Sequence, residues 1–548
     1  MNPIIEKLEG IFRAAANIPD GLEVIRPSDR PDLSDFQSNI ALALAKMQKR
    51  NPRDVAQEII GNIKDPELTL AIDGPGFINI KLSPKFVEDA INEIIAKPNL
   101  GLPPPAKRLK IVVDYGGPNV AKALHVGHLR PAIIGESMKR LARFLGHEVI
   151  GDTHLGDWGL PMGMVIASIK EQNLDPASLS VADLNKLYPA ASARSKTDEA
   201  FAKRAADETK KLQGGDKENF EIWRKFVATS TSDMKRIYSL LNVEFDLWLG
   251  ESDAAASAEM LREKFRADGH SRVSQGAEVI DIGEDLPFRV TNSNGQLLYA
   301  MTDVGTIFDR MRDIGPDLIL YHTDARQNLH FKQVFKVAEK TGVAQNAKLE
   351  HLPHGNILGE NGTPLKTRSG DTLPLEELIT EAIAKAKAKS KNPAAAQDIA
   401  IAAIKFADFI NPRINDYVLN LDKFTSFEGK TGPYILYTAV RIKSMLRQAA
   451  PPTEPHITLA GDHDRALAIE LCGFADAVQK SFDSRALHIL TQYVYALAVR
   501  FNAFYHSCHV LTQPDENLKN SWLALANATL EVFDAFAQIA AINIPEEM

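Results

Sequence analysis

Residues 110 to 150 constrain the chain more than any other stretch. The apolar run Ile111 to Val113, in KIVVDYGGPN, ends in Gly116, Gly117 and Pro118. A helical pattern starts near His125, continues through GHLRPAIIGESMKRLARFLG and stops at Gly146; HEVI follows as a second short apolar strand. Strand, glycine-rich loop, helix, strand is a βαβ unit. It predicts a doubly wound parallel sheet with ligands held at the carboxyl ends of the strands.

The rest of the chain divides around this unit. At about 150 residues per domain, 548 residues make roughly three or four domains. A linker falls at 98–108, PNLGLPPPAKR, where Pro103 to Pro105 remove amide donors and hold the backbone extended. Residues 1–105 form a small α+β module. Its helical patterns, PRDVAQEIIGNI and KFVEDAINEIIAK, flank the strand GFINIKL, which puts Phe77 and Asn79 on one face and Ile78 and Ile80 on the other. Residues 106–395 read as α/β, interrupted by an insertion at about 166–290 that is highly charged and helical up to about 240. Strand-like runs return at AEVIDIG, LPFRVT and PDLILYHTD. Lys385, Lys387, Lys389 and Lys391, before Pro393, mark a helix end and a linker. From 396 to 548 every long pattern is helical, which predicts an all-α domain.

Composition narrows the class. Hydrophobic residues are 45% and charged residues 24%, which excludes a disordered chain, a collagen or a coiled-coil rod. Cys472 and Cys508 are the only cysteines, too few for a disulfide framework or a Cys-rich zinc module. The start, MNPIIEKLEG, has no basic region followed by an apolar run, so no signal peptide is expected. No apolar stretch reaches about 18 residues, so we expect no membrane span and a soluble cytoplasmic enzyme. The net charge of −8 neither predicts nor excludes a nucleic-acid partner.

The sharpest chemical signal is His125-Val126-Gly127-His128, set after a strand and a glycine-rich turn. Two imidazoles stand at a helix start, where free amides and a positive dipole suit phosphate, and Gly127 permits close approach. Such imidazoles can donate to charge developing on a phosphoryl group. By themselves the four residues also fit surface or capping histidines. A zinc pair is a further reading, although no Cys or further His lies nearby to complete it.

The neighbours decide between these readings. GGPNVAKALHVGHLRPAIIGESMKRLARFLGHEVIGDTHLGDWG resembles the signature of class I aminoacyl-tRNA synthetases, and within them the arginyl family. His125–His128 matches the HIGH motif with Val126 in the Ile place, and the PN-x-AK lead-in and HLGDWG are features of the arginyl group. Further matches follow in order: LLYAMTD at 297–303, RQNLHFKQVF at 326–335, LKTRSG at 365–370, EGKTGPYILYTAVRI at 428–442 and FNAFYHSCHVL near the end. The resemblance implies a Rossmann-type catalytic domain, a helical anticodon-binding domain and an N-terminal domain that meets tRNA. It implies arginine–tRNA ligase activity with ATP, Mg²⁺, L-arginine and tRNA(Arg), in a monomer. Arginine activation that waits for tRNA is a further expectation from the family.

Site residues follow from the same resemblance. LKTRSG stands where the class carries KMSKS, but Gly370 replaces the second lysine; Lys366 and Arg368 remain to meet ATP phosphates as point charge and fork. Lys122, just upstream of the HIGH match, stands where arginyl enzymes of this type compensate. His125, Gly127, His128 and Lys366 are the ATP-binding set, and no metal ligands are expected. A guanidinium needs a carboxylate and several fixed acceptors. Tyr299 and Asp303, at i,i+4, share a face if helical, and the family uses both positions for the arginine side chain. Taken alone they also fit a core aromatic and a helix-surface charge. Asn119 and Gln327 fall on further substrate positions, and Asp114 stands where the family usually has a glutamate facing the guanidinium or the α-amino group. A site built around a distinctive polar group discriminates without editing, and the insertion shows no editing motif, so none is expected.

The tRNA partner has its own signals. Residues 401–450 hold seven Lys or Arg against four Asp or Glu, beside the aromatics of GKTGPYILY. Aromatics stack on splayed bases while cations meet phosphates. Tyr434 and Tyr437 are therefore candidates for the anticodon loop, although their i,i+3 spacing also suits core residues. By family position, Phe77 and Asn79 are candidates for a D-loop base; a buried Phe in a small sheet is the other reading. Three rivals are a different class I synthetase, a small nucleotidylyltransferase and a non-catalytic tRNA-binding paralogue. Asp303 with Tyr299 argues against an acidic substrate, the chain is far longer than the second rival, and neither His pair nor Asp303 is lost.

Overall fold

Ile111, Val112 and Val113 are completely buried, because helices cover both faces of the sheet they belong to. That is why this strand shows a continuous apolar run and no alternation. The structure is a computed structural model and describes residues 2–30, 32–284, 286–293, 295–363, 365 and 372–548. The central sheet has five strands in the order Lys348–His351, Leu318–His322, Lys110–Tyr115, Glu148–Leu155 and Leu247–Gly250. Every neighbouring pair is parallel. The chain starts in the middle, builds outward on one side, and returns to pair on the other side of its first strand. The switch point is therefore the crevice beyond Tyr115 and His322, where the doubly wound rule places a ligand.

One part of the insertion differs from expectation. Leu247–Gly250 lies inside residues 166–290, yet it pairs with Asp152 to Leu155 as the edge strand of the main sheet. A four-residue strand, LWLG, carries too little pattern to announce itself. The material outside the sheet thus falls into two pieces. Helices Leu160–Glu171, Val181–Arg194, Glu199–Gln213 and Lys217–Leu240 precede this strand. Helix Glu251–Ala267 and the antiparallel strands Ser271–Ser274, Ala277–Ile280 and Phe288–Arg289 follow it.

The N-terminal module is a four-stranded antiparallel sheet with helices. In its strand Phe77–Leu82, Ile78 and Ile80 are fully buried while Phe77 and Asn79 take the half-exposed face. The module packs on the C-terminal helices. Arg465 donates to both oxygens of Asp35 at 2.9 and 2.6 Å, and Asn92 exchanges two 2.8 Å bonds with the backbone of Ile457.

The C-terminal helices are Gly432–Gln448, Asp462–Leu471, Phe474–Asp483, Leu487–Cys508 and Glu516–Ala540. Glu516–Ala540 is long and apolar enough to cross a membrane by length and composition alone, although Glu531 and Asp534 interrupt its apolar run. Two-thirds of its apolar window is buried inside the fold, as in a core helix. A second small departure is Tyr417–Val418, which pairs in parallel with Ile357–Leu358 in a region read as wholly helical. Two residues leave no period to detect.

Helix Leu129–Phe144, which follows the histidine loop, locks the catalytic and helical parts together. Arg130 on this helix and Asp408 on helix Ala396–Phe409 form an ion pair at 2.8 Å, with both side chains at most 2% exposed. Arg130 also donates to the Asn415 carbonyl at 2.8 Å. Burial pushes the Asp408 carboxyl up, and the Arg130 charge opposes that rise. Removing one partner strands the other charge without water. Asp408→Ala should therefore lose about 3–5 kcal/mol of stability, read from urea unfolding; a loss below about 1 kcal/mol would show the seam does not depend on this pair.

Candidate active site

The histidine loop is shaped by its own backbone. His125 caps the turn Val126–His128, and its Nδ1 accepts the Gly127 N–H at 3.1 Å. The His125 N–H in turn donates to His128 Nδ1 at 3.0 Å. A ring nitrogen that accepts carries no proton, so each ring bears its proton on Nε2. The rings lie 4.0 Å apart. Burial, then the Lys122 charge, lowers His125 to about 4. Burial, then His125 and Lys122, lowers His128 to about 3. At neutral pH the loop thus presents two uncharged N–H donors. A Cβ on Gly127 would lie 2.9 Å from the His125 ring, so a larger residue here would push that ring aside.

Other expected residues surround the same crevice. Asn119 lies in the loop after Lys110–Tyr115, which is bridged to Gly156; a Cβ on Gly156 would sit 2.0 Å from Asn119 Oδ1. Gln327 ends the short turn Ala325–Gln327 beyond strand Leu318–His322 and is exposed. Lys122 is exposed and has no ion pair among the described residues. Lys366 and Arg368 lie outside the described residues. The segment just after them is tied to the histidine loop, since Val126 N–H donates to the Leu373 carbonyl at 2.9 Å and Leu375 N–H to that of Leu124 at 3.0 Å.

Tyr299 begins helix Tyr299–Asp313, and Asp303 follows one turn later, as the i,i+4 spacing predicts. His330, on helix Asn328–Lys340, joins them. Its Nε2 lies 2.6 Å from Asp303 Oδ2, and its ring stacks on Tyr299 at 4.9 Å and 19°. Tyr299 stays 61% exposed, so it forms a wall and not a core contact. Burial, with Asp303 and Glu251 nearby, raises the Tyr299 hydroxyl. Glu251 completes an acidic group. Burial, with the charges of Asp303 and Asp157, pushes its carboxyl up to about 7, although His154 opposes this.

Asp114 has a different setting from the one expected. Arg310 Nη2 donates to Asp114 Oδ2 and to Asp152 Oδ2, each at 2.6 Å. Burial raises Asp114 and the Arg310 charge opposes the rise. One carboxylate oxygen expected to face a bound cation is therefore taken by an arginine of the chain itself. Arg310 stands two turns beyond Asp303 on the same helix, so one helix supplies both the site carboxylate and this internal partner.

Glu251, His330 and Arg310 were not singled out by sequence reasoning. Glu251 follows the edge strand that the pattern hid. His330 sits inside RQNLHF, three residues past Gln327, and Arg310 lies at i+7 from Asp303; helical spacing was the signal available for both.

Strand order, a crevice at the switch point and paired neutral imidazoles at a helix start are the construction of class I aminoacyl-tRNA synthetases. Residues 90–421 match the catalytic domain of class I (R) tRNA synthetases, residues 435–548 the DALR anticodon binding domain and residues 3–82 the arginyl tRNA synthetase N-terminal domain. An arginine–tRNA ligase of Alkaliphilus oremlandii is 38% identical over 561 residues, 96% of each chain. That of Francisella tularensis subsp. novicida is 38% identical over 580 residues, covering 100% of this chain and 99% of its own. In fold, the chain superposes on the arginyl-tRNA synthetase of Plasmodium falciparum with a TM-score of 0.83 at 24% identity over all of both chains. For that of Thermus thermophilus the TM-score is 0.80 at 23% identity, over 99% of this chain and 100% of the other. The chain belongs to the arginyl-tRNA synthetase family.

The histidine loop generates a spectroscopic prediction. Nitrogen-15 spectra of histidine-labelled protein should show His125 and His128 in the Nε2–H form from about pH 5 to 9, with no charging step in that range. An Nδ1–H signal, or titration near pH 6.5, would overturn the assignment. Because the unfolded rings bind protons first, their contribution to stability, full above about pH 6.5, is lost as the pH falls towards about 4 for His125 and about 3 for His128.

Proposed function

We propose how this crevice carries out the reaction of its family, the ATP-dependent ligation of arginine to tRNA. The observation that carries the reading is the acidic group of Asp303 and Glu251 beside the Tyr299 ring, which suits a cation, in a fold whose histidine loop offers two neutral N–H donors. Asp303, held in place by His330, takes the guanidinium in charge-assisted hydrogen bonds, with the Tyr299 ring as a wall. Asn119 and Gln327, on loops at the carboxyl ends of two adjacent strands, contact the rest of the amino acid, and Asp114 contributes behind them.

In the first step an oxygen of the arginine carboxylate bonds to the α-phosphorus of ATP, and the bond to pyrophosphate breaks. Positioning and charge do most of the work in such transfers. The Nε2–H groups of His125 and His128 donate to the phosphate oxygens as charge grows there. Lys122, with Lys366 and Arg368, neutralises the departing pyrophosphate. Mg²⁺ enters as part of the ATP substrate; among the described residues no group of three or more His, Cys, Asp or Glu could cage it. In the second step the ribose hydroxyl of the 3′-terminal adenosine of tRNA(Arg) attacks the adenylate carbonyl, and AMP leaves.

For tRNA the C-terminal surface offers a stacking platform. Tyr437 is exposed, and the Arg441 guanidinium lies 4.8 Å from its ring and 4.9 Å from that of Tyr505. Tyr434 is half-buried and accepts a bond from Asn502 at 3.0 Å, so it braces the platform while Tyr437 meets the base. Phe77 and Asn79 supply a second contact; Asn79 is held by Gln37 at 3.0 Å. The reading takes the chain as a cytoplasmic monomer divided near residues 105 and 395.

Two substitutions test the site. Asp303→Ala should lower kcat/KM for arginine about 100-fold or more, about 2.7 kcal/mol of transition-state stabilisation, with little change in KM for ATP. An unchanged arginine KM in charging assays would remove Asp303 from the site. Lys122→Ala should reduce ATP–pyrophosphate exchange far more than it reduces arginine binding by calorimetry; equal losses would reject its phosphate role.

A further inference from the structure

The longest helix of the insertion, Lys217–Leu240, reaches the catalytic loops at three points. Trp223 Nε1–H donates to the Asp157 carbonyl at 2.7 Å. Ser230 Oγ accepts the Ala121 N–H at 3.0 Å. Tyr238 donates its hydroxyl to the Gly116 carbonyl at 2.6 Å. These residues are spaced by seven and eight, about two helical turns each, so they form one stripe along the helix. The stripe grips the loops that follow two neighbouring strands, Lys110–Tyr115 and Glu148–Leu155.

The middle contact falls on a strained position. Ala121 has φ +58°, in the left-handed region that residues with a Cβ avoid. It is 1% exposed, so its N–H has no water to turn to and depends on Ser230, which is 3% exposed. The serine is itself oriented, because its own proton goes to the Phe226 carbonyl at 2.8 Å. The next residue in the chain is Lys122, whose charge reaches both His125 and His128.

We propose that Ser230 is a positioning residue for the activation step: it holds Ala121 in its left-handed turn and so directs Lys122 to the pyrophosphate side of the nucleotide. The insertion thereby acts as a splint for the phosphate site. This rests on the role given to Lys122 above. The two can fail separately.

The test is steady-state ATP–pyrophosphate exchange with the full-length enzyme and tRNA present. Ser230→Ala should raise KM for ATP or lower kcat by about tenfold, with KM for arginine unchanged. Added to Lys122→Ala, it should cost less than about twofold more, because its effect passes through that lysine. Ala121→Gly, which accepts positive φ without strain, should restore the Ser230→Ala enzyme to within about threefold of wild type. Ser230→Cys, close in size and a poorer acceptor, should shift in the same direction by a smaller factor and serves if the alanine variant does not fold. The proposal is overturned if Ser230→Ala leaves ATP kinetics unchanged, impairs arginine and ATP terms alike, or adds its full effect to Lys122→Ala. If Lys122→Ala itself leaves exchange intact, the role of the lysine fails first.

Discussion

Arg310 holds two aspartates on a single nitrogen, and the acidic site is arranged around that contact. Asp114 and Asp152 are paired across adjacent parallel strands and both are buried. Two carboxylate charges this deep repel each other and call for a buried cation between them. Arg310 supplies it, from the helix that also carries Tyr299 and Asp303. The guanidinium therefore fixes the distance between that helix and the sheet. Asp303, Glu251 and Asp157, in the same acidic group, have no arginine partner among the described residues.

The histidine loop follows a different electrostatic logic. Each imidazole is kept neutral by burial and by the cation beside it, and each is oriented by a backbone amide. A neutral ring oriented in this way donates to phosphate without the desolvation penalty of a buried charge. The nearest positive charge is Lys122, which is exposed and helps to hold both rings neutral. The loop thus separates fixed neutral donors from the cation beside them.

These loops are held from outside the sheet. Helix Lys217–Leu240 bonds both of them, and the segment at 373–375 pairs with 124–126. Helix Leu129–Phe144 is tied to the helical region through Arg130 and Asp408. The N-terminal module meets the C-terminal helices through Asp35 and Arg465. The crevice is thus braced by parts of the chain 66 or more residues away, which gives a rigid setting to chemistry that relies on position.

The βαβ unit, the helical C-terminal region, the two faces of Phe77–Leu82 and the placing of Tyr299 and Asp303 on one helix turn were legible in the order of residues. Each of these depends on spacing along the chain, set by side-chain period or turn chemistry. Ordered motifs also determined the family. Tertiary structure alone decided that Leu247–Gly250 joins the sheet, that Arg310 claims Asp114, that His330 holds Asp303 and that Ser230 supports Ala121. These are contacts between residues 27 to 196 positions apart. Local period carries no record of such partners, because the contact is created when separate elements pack.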